Sequence, residues 1–375
     1  MAGGTARTIA LALALCLGGQ ASLAARIVDP ASARHAITNR AIVAKQAELT
    51  ALAQDHRATE LAARFDLIAN DRTIPAVAQE WLLDGGLHAL ATIEPTPQAR
   101  ATVLRLAARA PIVYTRVDPD HGERVTPLYD VGATARFVLR AWERRGAQAA
   151  AQSDLAAGRT SALDRFAGRS GRSDLDSVRA GIADAFKAAP VPQLRAQRAA
   201  IAAAIGRGRR VDELALVLAE RLRDPELFIL VLGHADAPIA LAAVSSASRT
   251  LDPQTSFELL AAASRRAEIA SAAVLEIGRL AHNDFLARRF LFDAIAERDI
   301  GPSAAAALAA LGDPGVSSEL GRRLDAGGSE QSMRLLVLAL KLDASAAALE
   351  ALERFTATKT GSAELRKDVR QWLER

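Results

Sequence analysis

The stretch Ala304-Ala305-Ala306-Ala307-Leu308-Ala309-Ala310-Leu311-Gly312-Asp313-Pro314 decides the fold class. Alanine is the best helix former and leucine follows closely, so the run up to Leu311 reads as a helix with a narrow cross-section. Gly312 breaks it. Asp313 then offers a side-chain oxygen to the first free N–H groups of a new helix, and Pro314 suits the first helical position, where no N–H is needed. Apolar residues follow at helical spacing, at Val316, Leu320 and Leu324, matching Ala307, Leu308 and Leu311 before the turn. Residues 303–324 are therefore a helical hairpin.

Working outward, the same punctuation recurs at Leu222-Arg223-Asp224-Pro225, Leu251-Asp252-Pro253, Leu280-Ala281-His282-Asn283 and Leu342-Asp343-Ala344. Counting leucine to leucine, the spacings are 29, 29, 31 and 31 residues. A period of that length marks a repeat whose single module cannot bury its own apolar faces and must stack on its neighbours. The expectation is an all-α fold, an α-solenoid of stacked helical hairpins. Residues 305–314 look like the short, alanine-rich HEAT repeats also called phycobilisome-lyase-type HEAT-like repeats. The resemblance covers residues 211–356 and loosens where His282-Asn283 and Ala344 replace the Asp-Pro pair. It implies a curved helical scaffold and no particular chemistry. The tryptophan-tyrosine pattern of tetratricopeptide repeats and the Thr-Pro-Leu-His turn of ankyrin repeats do not occur. An amphipathic segment at 363–373, with Leu365, Val369, Trp372 and Leu373 on one side, reads as a capping helix.

Toward the N-terminus, residues 31–70 read as two helices, with Ile37, Ile42, Val43, Leu49 and Leu52 on one apolar face and Leu61, Phe65 and Leu67 continuing it. Residues 75–90 and 97–110 read as another pair. The pattern changes at 112–129, where β-branched residues flank Asp118-Pro119-Asp120-His121-Gly122, the signature of a β-hairpin or ordered loop. Both tyrosines lie here. Tyr114, Arg116, Asp118, Asp120, His121, Glu123, Arg124 and Tyr129 are the candidate partner-binding residues, since loops on rigid scaffolds often carry recognition. The competing reading is a structural flap that lays Val113, Val117 and Leu128 over the helices. A helix from Gly132 to Gln152 follows, and the Gly- and Ser-rich stretch at 168–173 divides an N-terminal region, 25–170, from the repeat array, 171–375. Between Arg136 and Arg210 stand 15 basic residues against 6 acidic ones. Converging on one face, they would attract an anionic surface; radiating around helices, they would simply be solvated.

The first residues have the layout of a secretory signal peptide, residues 1–24: Arg7, an apolar run from Ile9 to Leu17, and small residues before Ala24 and Ala25. That run falls short of the roughly 20 residues needed to cross a bilayer. The expected location is periplasmic or secreted, without a transmembrane segment after cleavage, and export disfavours nucleic acid as a partner. Cys16, the only cysteine, lies within the leader, and Leu15 is a poor fit to a lipid-attachment motif. The mature chain then has no thiol chemistry. The formal net charge of the whole chain is +4, and 42 of its 47 basic residues are arginine.

Chemistry is hard to find. No lysine follows a glycine as in a phosphate-binding loop, and the six histidines, His35, His56, His88, His121, His234 and His282, are too far apart for helical zinc-ligand spacing. The cluster Asp118, Asp120, His121 and Glu123 misses the calcium-loop pattern, because Tyr129 stands where a bidentate Glu belongs. No catalytic residue, cofactor or metal is assigned. The leading expectation is a non-catalytic envelope scaffold for a protein partner. The alternative is an envelope enzyme or small-ligand protein that sets the 118–129 loop against the helices.

Overall fold

Alanine-rich helices with one apolar stripe gain little alone and must be covered on two sides, and the arrangement of the chain follows from that requirement. The computed structural model describes residues 26–117, 124–168 and 173–374; residues 1–25, which include Cys16, residues 118–123 and 169–172, and Arg375 lie outside them. Within the described residues the protein is all-α apart from one small three-stranded sheet. It forms two compact units, 1–145 and 146–375.

Unit 1 holds β1 (Arg26–Ile27), α1 (Pro30–Ile37), α2 (Arg40–Gln54), α3 (Ala58–Asn70), α4 (Ala76–Leu90), α5 (Pro97–Ala107), β2 (Val113–Val117), β3 (Arg124–Pro127) and the first part of α6 (Val131–Ala156). Residues 31–70 carry three helices rather than two. The reason is Asn39, whose side chain accepts from the Ala41 N–H and starts α2 only two residues after α1 ends. The expected apolar face is also narrower, because Val43 and Leu67 are 49% and 60% exposed. Helix α2 packs on α4 and α3 on α5, the two-layer alternation of a stacked array. Phe65 fills the centre without exposure, and Gly86 makes room for it, since a Cβ there would lie 2.5 Å from the Phe65 ring.

Within 112–129 the expected strand pairing is present in the described residues, with β2 and β3 antiparallel in the register Tyr114 to Pro127 and Val117 to Arg124. Its third strand was not legible: β1 pairs in parallel with β2, Arg26 beside Val113 and Ile27 beside Tyr114.

Unit 2 takes the rest of α6, then α7 (Ser161–Phe166), α8 (Ser173–Ala188), α9 (Val191–Gly206), α10 (Asp212–Leu222), α11 (Pro225–His234), α12 (Ala237–Thr250) and α13 (Pro253–Ala263). It continues with α14 (Ala270–Leu280), α15 (Phe285–Ala294), α16 (Gly301–Ala309), α17 (Pro314–Ala326), α18 (Glu330–Asp343), α19 (Ala346–Ala357) and α20 (Ala363–Leu373). The even helices α8 to α18 pack each on the next, forming one layer. Close approach within it depends on small residues: a Cβ on Gly278 of α14 would meet the Ala307 Cβ of α16 at 2.7 Å. In the other layer α9, α11 and α13 stack, as do α17 and α19, while α15 stands further from α13 and α17 and meets them through side chains, Phe290 against Phe257 at 5.9 Å and Phe292 beneath Arg323.

The turns perform as capping chemistry requires, with two displacements. Asp224, Asp252 and Asp313 accept from the Leu227, Thr255 and Gly315 N–H groups at 3.2, 3.0 and 2.8 Å. In the two degenerate modules the cap sits further along. Asp284 caps α15 in place of Asn283, and Ser345 caps α19 while Ala344 takes a left-handed conformation. The C-terminal segment is a helix over the expected residues, with Leu365 and Val369 buried.

Candidate functional site

The hairpin is anchored by a residue that sequence patterning did not single out. Glu80 of α4 has no exposed surface, and its two carboxylate oxygens accept from the Ile112 and Val113 N–H groups at 2.8 and 3.0 Å. Burial pushes its carboxyl above the usual range, against the pull of those two bonds and of Arg109. Val113 is fully buried beside Ala33 and Val77, with Leu128 and Tyr129 packed partly against them. The base of the hairpin is thus a structural flap in Val113 and Leu128.

The candidate partner-binding residues separate accordingly. Tyr114 is half-buried, and its carbonyl accepts from the Val28 N–H at 2.9 Å. Tyr129 is half-buried, and burial, followed by the nearby Asp84, raises its hydroxyl pKa. Arg116 and Arg124 are exposed on the two strands. Asp118, Asp120, His121 and Glu123 lie outside the described residues.

A second surface arises where α15 stands apart in its layer. A cleft of about 650 Å³ opens between α15 and α17, lined by Phe285, Arg288, Phe292, Glu319 and Arg323 among others. Another, of about 480 Å³, opens on the opposite side of Phe285, against the start of α13 and the end of α14. Phe285 is 75% exposed, the highest value among large apolar side chains of the described residues, and Leu286 beside it is 52% exposed. Neither is needed for the core. Around them the guanidinium groups are held in place. Arg288 donates to Asp313 at 2.7 Å and to the Ala281 and His282 carbonyls. Arg323 lies over the Phe292 ring at 4.7 Å and donates to Glu319 at 2.8 Å. Hydrogen bonds from Arg322 first, and then from Arg323, push the Glu319 carboxyl down to about 2. Arg279 and Arg289, 72% and 70% exposed, each pair with one acid of their own helix. The arrangement offers apolar surface and positive charge to a partner, and no nucleophile or general base meets a second catalytic group in it.

The basic stretch from 136 to 210 is divided among many protein partners. Arg159 and Arg165 converge on the buried Asp154, Arg198 holds Asp224 and Glu226, and Arg209 pairs with Asp164. Arg136, Arg145 and Arg179 donate to the carbonyls of Ala107, Ile93 and Phe166. Among the described residues no three His, Cys, Asp or Glu side chains gather as a metal site, and no helix is long and apolar enough to cross a membrane.

No protein-family model matches this chain, and no curated protein or solved structure does either.

Proposed function

We propose that this chain is a HEAT-type repeat protein that acts after export as a non-catalytic scaffold, and that the Phe285–Leu286 ridge is where a protein partner docks. The carrying observation is the exposure of Phe285 between two clefts in an array whose other phenylalanines serve mainly as core. Covering a ring of that size contributes about 1.5–3 kcal/mol, and aromatic anchors beside arginines are typical of interface hot spots. The occupant that fits is a segment of partner protein with apolar side chains to enter the clefts and carboxylates to meet Arg279 and Arg289. The leader residues support an envelope location, and the turn pattern at 305–314 supports the repeat family.

The test is crosslinking in envelope extract followed by binding of the purified partner. Crosslinks from residues 285–323, and about thirtyfold weaker binding for Phe285→Glu with unchanged circular dichroism, are expected for a lost hot spot. Equal binding by Phe285→Glu, or crosslinks confined to 113–129, would overturn the assignment.

A further inference from the structure

Unit 1 contains a cleft of about 700 Å³ beneath β1, reached from the turn after α3 and from the end of α5. Three guanidinium groups line it, those of Arg26, Arg72 and Arg109. They differ from the arginines of the repeat array. Among the described residues Arg26 and Arg72, both exposed, make no ion pair and no side-chain hydrogen bond. Arg109 is largely covered; its Nη2 donates to Gln79 Oε1 at 2.9 Å, but its Nε is buried with no partner. The Gln79 amide is itself fixed by a bond from Nε2 to the Ile68 carbonyl at 2.6 Å.

Among the described residues one acid lines the cleft, Asp71, and it faces its own turn, where it accepts from the Thr73 N–H at 2.9 Å and the Thr73 hydroxyl at 2.6 Å. Glu80, behind Arg109, has both oxygens occupied by the Ile112 and Val113 N–H groups. Three guanidinium groups against the one carboxylate of Asp71 leave the lining net positive. An orphaned guanidinium N–H in a covered position is costly to leave unmade, and the group that satisfies it best is an oxyanion, which accepts from the planar fork in two places.

We propose that this cleft binds a small polyanion, an organic molecule carrying two or more carboxylate or phosphate groups, with one oxyanion seated on Arg109 and the others on Arg72 and Arg26. With Asp71 balancing one of the three guanidinium groups, a single carboxylate would still leave a cation unmatched, and the volume is ample for a molecule larger than a lone phosphate. The site belongs wholly to unit 1 and is independent of the scaffold reading.

The experiment is calorimetric titration of the purified chain with citrate, with inorganic pyrophosphate and with acetate, all at one ionic strength. Citrate or pyrophosphate is expected to bind with a Kd of about 1 mM or tighter, and acetate much more weakly. The tighter of the two identifies the carboxylate or the phosphate source. Arg26→Gln/Arg72→Gln, which removes two exposed and unpaired side chains and leaves the fold intact, weakens binding by about tenfold or more, the size of one charge-assisted bond. Arg334→Gln, an exposed arginine on α18, leaves it unchanged. Absence of binding to both polyanions overturns the proposal, as does equal weakening by Arg334→Gln, which would reduce the effect to general electrostatic attraction.

Discussion

Replacing Gly278 with alanine should weaken unit 2, although alanine is the better helix residue. Two effects compete. In a helix interior the exchange gains up to about 1 kcal/mol of propensity. Against it, the new Cβ would lie 2.7 Å from the Ala307 Cβ and 3.4 Å from its Cα, atoms fixed to the α16 backbone that no rotamer change can move. Overpacking of that kind costs about 1–3 kcal/mol, so the net change is a loss of about 1 kcal/mol. Gly146 is the control. It lies inside α6 and in the same unit, with nothing within 4 Å of an added Cβ, so Gly146→Ala should gain the propensity term alone. The difference between the two variants isolates the packing term, about 1–3 kcal/mol. Urea titration followed by circular dichroism reads it as a shift in midpoint at constant slope. Equal stabilisation by both variants would refute the reasoning, because α14 and α16 would then not meet through this glycine.

Two further outcomes follow from the buried and paired carboxylates. Glu80→Ala orphans the Ile112 and Val113 N–H groups and should cost unit 1 about 2–4 kcal/mol, with early hydrogen exchange at residues 112–117; Glu80→Gln, which keeps one acceptor, should cost less. Glu319 has a folded pKa of about 2 against 4.5 when unpaired, so its contribution is complete above pH 4.5 and disappears as the pH falls toward 2. Its side chain is 29% exposed, which limits the effect to about 1 kcal/mol; urea midpoints between pH 5 and 3 should fall less steeply for Glu319→Gln than for the unmodified chain.

The repeat array was legible because helix periodicity and capping are local. Leu311, Asp313 and Pro314 announce a turn wherever the rest of the chain lies, and α16 and α17 begin and end where those residues direct. Legibility failed where one position had two candidates. Asn283 and Asp284 both cap well, and only the geometry of the preceding turn selects Asp284. Strand β1 is two residues long, too short for any periodicity, and exists because Val113 and Tyr114 offer it a free edge. The candidate sites were harder still. Glu80 sits in a helix among apolar neighbours and looks like any exposed glutamate until residues 112 and 113, more than thirty positions away, present their N–H groups. The exposure of Phe285 depends on the lateral spacing of α13, α15 and α17, which no property of α15 alone encodes.

That spacing has a consequence for how the array comes apart. In a linear stack, cooperativity passes from neighbour to neighbour, and each junction couples the modules on either side. The even layer carries that coupling without a break from α8 to α18, whereas the odd layer loses most of it at α15. Helix α15 packs its backbone on α14 and α16, and single side chains tie it to its own layer, Phe290 against the Phe257 ring and Phe292 beneath Arg323. A fluctuation that lifts it breaks those few side-chain contacts and leaves the even layer standing, so the segment can open as a small cooperative unit of its own. Unit 2 thus has a continuous spine from α8 to α18 and one looser rib, and that rib is the one bearing Phe285.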